Sequence, residues 1–170
     1  MKKVAFLRGI NVGNIRIKMS DLKLAFEELG HTDVSTILAT GNVLFNSSES
    51  LEICKANIQK KLSETFHYEA FAQVYSIEKI SQVLSSCSLE ESEGYHLYVI
   101  FVETPTAIEL LKLASKDLDT REIQYLDDVI FWKVVKGETL LTPFSKEIAK
   151  AKYKPVSTMR NIQTIRKLLD

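Results

Sequence analysis

Val4-Ala5-Phe6-Leu7, held between Lys3 and Arg8, is the stretch from which the rest of the chain can be ordered. Four apolar residues without polar alternation fit a strand buried on both faces, and such a strand belongs in the middle of a sheet. From Gly9 to Lys18 the run gives way to a loop. Ser20 then reads as a helix cap, with Leu22, Ala25, Phe26 and Leu29 spaced for one helical face and Gly30 closing the helix. Val34 to Ala39 and Asn42 to Phe45 predict two strands around Thr40-Gly41. Ser50 starts a second helix whose inner face is Leu51, Cys54, Ile58, Leu62 and Phe66, and Ala70 to Tyr75 supplies a further strand. The order to residue 75 is βαββαβ, the split pattern of a ferredoxin-like lobe, in which the first and third strands are central.

Ile77, Ile80, Val83 and Leu84 mark a short helix, after which the small and acidic residues from Ser85 to Gly94 break the periodicity and read as a solvated linker containing Glu90, Glu91 and Glu93. Tyr95 to Val102 then repeats the character of the opening strand. Thr106 with Glu109 predicts a capping box, with Pro105 outside the helix, ahead of Ala107, Leu110, Leu111 and Ala114. Glu122 to Leu126 and Val129 to Val135 meet at Asp127-Asp128 as a hairpin. Ser145 begins a basic helical stretch ended by Pro155, and Ile162, Ile165, Leu168 and Leu169 line a terminal helix. The expected class is therefore α+β in two lobes: residues 1–86, ferredoxin-like βαββαβ with an antiparallel sheet, and residues 95–170, a related βαββα unit with a helical tail.

The 170 residues, 45% of them hydrophobic, suffice for a buried core without covalent staples. No run approaches the ~20 apolar residues of a membrane span, and the N-terminus lacks a signal-peptide pattern, so a cytoplasmic protein with no membrane partner is expected. Cys54 and Cys87 stand alone, without CxxC spacing, and read as buried or half-buried free thiols. Formal net charge is zero, which argues against a generic nucleic-acid coat, but its placement is uneven. Residues 1–23 carry six basic side chains against Asp21, and residues 145–170 carry seven against Glu147 and Asp170, so each end is +5 and the middle −10. Convergence of the two ends would create one positive face; scattered ends would leave only solvated lysines.

Between a central strand and a helix start, Arg8-Gly9-Ile10-Asn11-Val12-Gly13-Asn14-Ile15-Arg16-Ile17-Lys18 occupies a position where backbone N–H groups and the helix dipole favour an anion. Glycines allow close approach, Arg8 offers a planar fork, Arg16 and Lys18 add charge, and Asn11 a neutral hydrogen-bonding group. The spacing is neither GxxxxGK[ST] nor GxGxxG. The plainer alternative is that Gly9 and Gly13 only satisfy turns while Ile10, Val12, Ile15 and Ile17 pack down as a hairpin. A second candidate, Thr158-Met159-Arg160-Asn161, precedes the last helical pattern and either aims donors and Arg160 at an anion or simply caps the helix.

Catalytic machinery is hard to assemble from the remaining inventory. His31, His67 and His96 stand singly, without HxH or HExxH spacing, so neither a metal nor another cofactor is expected. Asp127-Asp128 reads as turn chemistry and Trp132 as sheet packing.

Leu7-Arg8-Gly9-Ile10-Asn11-Val12-Gly13, followed by Met19, Leu22 and Leu29-Gly30, resembles the opening of a bacterial family of unknown function, DUF1697. Thr40-Gly41-Asn42-Val43-Leu44-Phe45 is similar to that family's SGNVVF strand. Phe144-Ser145-Lys146 sits where the family has an R-S-K-L-like segment, and Thr158 to Ile165 resembles its TxRNWNTV ending. The resemblance runs over essentially the whole chain, with two departures: Asn14 stands where a second glycine is usual, and Ile162-Gln163 replaces Trp-Asn. It implies a compact α+β protein with a ferredoxin-like element and no established activity, and it singles out Arg8, Gly9, Asn11, Gly13, Gly41, Asn42, Arg160 and Asn161.

The leading expectation is a protein that holds a small phosphorylated or carboxylated ligand at the basic loop, whether or not it is an enzyme, with Arg8 and Arg160 as ion partners and Asn11 and Asn42 orienting the ligand. The alternatives are a single-stranded nucleic-acid module using Tyr75, Tyr98 and Phe101 for stacking, and a protein-interaction domain using an edge strand. The oligomeric state is open.

Overall fold

The computed structural model describes every residue from Met1 to Asp170. The chain forms two compact units, Met1–Ser81 with Lys167–Asp170 and Gln82–Arg166. In the first, β1 (Lys2–Arg8), α1 (Met19–Glu28), β2 (Thr32–Ile37), β3 (Asn42–Asn46), α2 (Leu51–Phe66) and β4 (Phe71–Ser76) run in the expected βαββαβ order, and α3 (Ile77–Ser85) follows. The sheet is antiparallel with strand order β2-β3-β1-β4, so the first and third strands are central. Val4, Ala5 and Phe6 are fully buried although they point alternately to opposite faces, as an unbroken apolar run requires. One face carries Ala5, Leu7, Val43, Phe45, Ala72 and Val74 into a core closed by Leu22, Ala25 and Phe26 of α1 and by Cys54, Ile58 and Leu62 of α2.

The second unit holds β5 (Tyr95–Val102), α4 (Pro105–Ala114), β6 (Ile123–Tyr125), β7 (Val129–Val135), α5 (Pro143–Ile148), a 3-10 turn at Ala151–Tyr153, β8 (Ser157–Asn161) and α6 (Ile162–Lys167). Its antiparallel sheet has the order β6-β7-β5-β8, the same arrangement as the first. β8 is an addition to the expected βαββα pattern: residues placed only as preceding the last helix pair with β5 from Tyr98↔Asn161 to Val102↔Ser157. The strand has no apolar run to announce it, because Ser157 and Thr158 are its buried members. The core gathers Ile100, Val102, Ile108, Leu111, Ile130, Trp132, Val134 and Phe144. Trp132 is a packing residue as expected, stacked on Tyr98 at 5.8 Å and edge-on to Phe144 at 5.1 Å.

Three helix starts differ from the sequence reading. α1 begins at Met19 with Lys18 as its cap residue, not Ser20. The side chains of Thr104 and Thr142 cap α4 and α5, placing Pro105 and Pro143 inside the first turn, so neither Thr106 nor Ser145 starts a helix. The acidic stretch after α3 is irregular and largely exposed, and several hydrogen bonds tie it down. Ser88 N–H donates to Gln124 Oε1, Gln124 donates back to Ser86 O, and Glu91 accepts from Arg166 at 2.7 and 2.8 Å and from Gln163. Cys54 is buried and Cys87 half-buried, neither in a disulfide.

Candidate functional site

The β1–α1 loop is compact and pinned by one side chain. Asn11, with φ 52, donates from Nδ2 to Ala39 O at 2.9 Å and accepts the Ile17 N–H on Oδ1 at 3.0 Å, tying the middle of the loop to its end and to the β2–β3 turn. Gly9 and Gly13 both take left-handed backbone, and Arg16 donates to the carbonyls of Gly13 and Ile15. No hairpin forms. Ile10 and Ile17 are buried in the first core, Ile15 packs against it and Val12 is exposed, so the apolar residues anchor the loop. Gly41 faces this anchor so closely that a Cβ would lie 3.0 Å from Leu7 Cβ and Ile10 Cδ1. Asn42 is fully buried, its Nδ2 donating to Ile37 O at 2.9 Å and Thr40 Oγ1 at 3.0 Å. Both asparagines thus make hydrogen bonds that hold the local chain in place.

What faces outward is cationic. Arg8 is half-buried at the end of the central strand, and burial pulls its guanidinium pKa below the ordinary arginine value. A guanidinium stays protonated even so, and a partly desolvated cation gains more from an anion than one in open water. Arg16 and Lys18 are exposed, and no side chain caps the first turn of α1. Beside Gly9 lies the ring of Tyr68, whose hydroxyl oxygen is buried without a hydrogen-bond partner and whose pKa burial pushes up to about 12.

Arg160 and Asn161 belong to β8 of the second unit. Arg160 is half-buried, with Nη1 donating to Met159 O, while Asn161 Oδ1 accepts the Gln163 N–H at the start of α6 and its Nδ2 lies 3.3 Å from His96 Nδ1. Of the three stacking candidates, Phe101 is fully buried and offers no face to a base, and Tyr98 is occupied by Trp132. The same unit carries a groove of about 520 Å³ lined by Asp119, Arg121, Glu122, Lys133 and Glu138, among others. It mixes both signs of charge and includes none of the residues singled out above.

One constellation was invisible in the sequence. A ring nitrogen of His31, a carboxylate oxygen of Glu49 and Cys54 Sγ lie within 4.8 Å of one another, at the end of the first sheet opposite the basic loop. His31 and Cys54 were read singly and Glu49 not at all, because motif spacing registers only ligands close in sequence, whereas these come from just before β2, the β3–α2 turn and the first turn of α2.

Two four-stranded antiparallel sheets of one strand order, the first bearing a basic loop pinned by asparagine, define a double ferredoxin-like α+β protein. The chain belongs to the family described as Protein of unknown function (DUF1697), whose model matches residues 1–131. The similar segments at 144–146 and 158–165 lie beyond that match. The fold is also similar to a solved structure of a conserved bacterial protein from Streptococcus pneumoniae, with a TM-score of 0.74 at 20% identity, covering 98% of this chain and 95% of that one. No curated protein matches the chain. No helix is long and apolar enough to cross a membrane.

Proposed function

We propose that the protein binds a small phosphorylated or carboxylated molecule at the β1–α1 loop. The observation that carries this reading is the half-buried, partly desolvated Arg8 guanidinium at the end of the central strand, next to a loop whose shape is held by Asn11. Exposed Arg16 and Lys18 and the uncapped start of α1 support the same sign of ligand. A preformed loop binds without spending affinity on ordering itself. Arg8 supplies the bidentate fork, the N–H groups of the loop and of the first turn of α1 supply directional donors, and Arg16 and Lys18 steer.

A thermal-shift screen of inorganic phosphate, sugar phosphates, nucleotides and carboxylates tests this. A true ligand at a hundredfold excess over its Kd stabilises the fold by about 2.7 kcal/mol. Arg8→Lys keeps the charge but removes the fork, so it is expected to retain the melting temperature in plain buffer and lose most of the ligand-induced rise. An undiminished rise in that variant puts the anion elsewhere.

A further inference from the structure

The first unit holds a buried polar cluster that neither the loop proposal nor the packing of the core accounts for. It lies where β1 begins and β3 ends. Cys54 is fully buried in the first turn of α2, His31 is 4% exposed just before β2, and Glu49 is half-buried between them. Cys54 Sγ is 3.5 Å from Ser47 Oγ and 3.9 Å from a Glu49 carboxylate oxygen. His31 packs its ring against Phe45 at 4.6 Å and Phe26 at 6.1 Å, which fixes the imidazole plane, yet its Nε2 is buried with no hydrogen-bond partner. A buried ring nitrogen left unsatisfied costs roughly 1–3 kcal/mol. Nothing in the hydrophobic core requires a histidine there.

We propose that His31, Glu49 and Cys54 form a binding site for one thiophilic divalent cation of the Zn²⁺ type. Nitrogen, thiolate and carboxylate are the donors that such a cation takes, and three protein ligands leave a fourth position for water. Bond lengths of about 2.0–2.3 Å place tetrahedral ligand atoms about 3.6 Å apart. The 3.9 Å between sulfur and carboxylate is already close to that, and the cluster's 4.8 Å span closes by side-chain rotation. Calcium and magnesium, which demand oxygen ligands, do not suit the set.

Lys3 sets the electrostatics. It is 1% exposed, and its Nζ donates to the carbonyls of Ser47 at 2.8 Å and Glu49 at 2.6 Å, so the ammonium is held by backbone, while Glu49 Oε1 accepts from Asn57 at 3.5 Å and Oε2 faces Cys54. On binding, the Cys54 thiol gives its proton to solvent and the thiolate takes the metal. Thiolate and Glu49 then offset the divalent charge, with Lys3 remaining on its carbonyls.

Cobalt(II) is the probe, because its bond to a thiolate gives a charge-transfer band that oxygen and nitrogen ligands do not. The Cys87→Ser protein retains Cys54 as its sole thiol. Titrating it with Co²⁺ is expected to produce that band to an end point of one equivalent, with release of one proton, and one equivalent of Zn²⁺ is expected to abolish it. His31→Gln and Glu49→Gln are each expected to weaken binding about tenfold or more. Absence of the band in Cys87→Ser, or a band undiminished in both of the other variants, overturns the assignment. Neither reading depends on whether Cys54 itself tolerates substitution.

Discussion

Asn11 and Asn42 show what a polar residue beside a glycine-bearing turn can be for: Asn11 bonds Ala39 O and the Ile17 N–H, and Asn42 donates to Ile37 O and Thr40 Oγ1. Glu147 shows the ionic counterpart. Its carboxylate accepts from Lys150, from Lys152 at 3.0 Å and from the Tyr153 hydroxyl at 2.8 Å. These bonds, Lys150 foremost, hold its pKa at about 2, below the ordinary 4.5. Because the folded-state value is the lower one, the stabilisation is complete above the ordinary carboxylate range and drains away as pH falls from 4.5 toward 2. Tyr153 behaves in the opposite sense: burial, then the bond and charge of Glu147, raise its phenol from 10.0 to about 12, so its share is complete below 10 and is lost on the alkaline side. Glu147→Gln is therefore expected to flatten the acid limb of stability between about pH 4.5 and 2. Urea unfolding of both proteins across that range checks it, and parallel acid limbs would show that the carboxylate is not linked to folding.

Helix starts separate what was legible in the sequence from what was not. Ser50 was readable as a cap, and its hydroxyl does accept the Ile53 N–H at 3.2 Å. For α4 and α5 the signal was present but misplaced by two or three residues. Proline lacks an N–H and fits the first helical position, so the residue before it caps, and Thr104-Pro105 and Thr142-Pro143 follow that rule. At α1 there was nothing to read, since Lys18 caps through its backbone alone. Strand β8 escaped because Ser157 and Thr158 supply its buried surface and no apolar alternation marks it. The basic loop was legible because its chemistry lies within one short segment, whereas His31, Glu49 and Cys54 meet only after three elements have packed. Thr104→Ala and Thr142→Ala are each expected to cost about 1 kcal/mol. Thr106→Ala and Ser20→Ala, at the positions that sequence spacing favours, should stay within about 0.5 kcal/mol. Equilibrium urea midpoints of the four variants decide it, and equal losses throughout would mean that capping is not what distinguishes these sites.

Across the whole molecule, both sheets use one strand order, second-third-first-fourth, which puts β3 and β1, and likewise β7 and β5, in the middle of their sheets. Central position and double-sided burial act together. β1 and β5 are paired on both edges, and Val4, Ala5, Phe6, Val99, Ile100 and Phe101 are fully buried. The edge strands differ from them and from each other: β2 carries a register irregularity between Thr32 and Ser35 with Asp33 at φ 50, and β6 has only three residues. Amides open with free energies from near zero at frayed edges up to the global value in core strands. Native-state hydrogen exchange should therefore repeat the same ranking in both sheets, with β1 and β5 slowest, β3 and β7 next, and β2 and β6 fastest. Protection of β2 equal to that of β1 would mean that neither two-sided pairing nor burial governs opening in the first sheet, since β2 is paired on one side only and Val34 is its one buried residue. A ranking that held in one sheet but not in the other would mean that shared strand order does not by itself set local stability, and that the differing helices of each unit do.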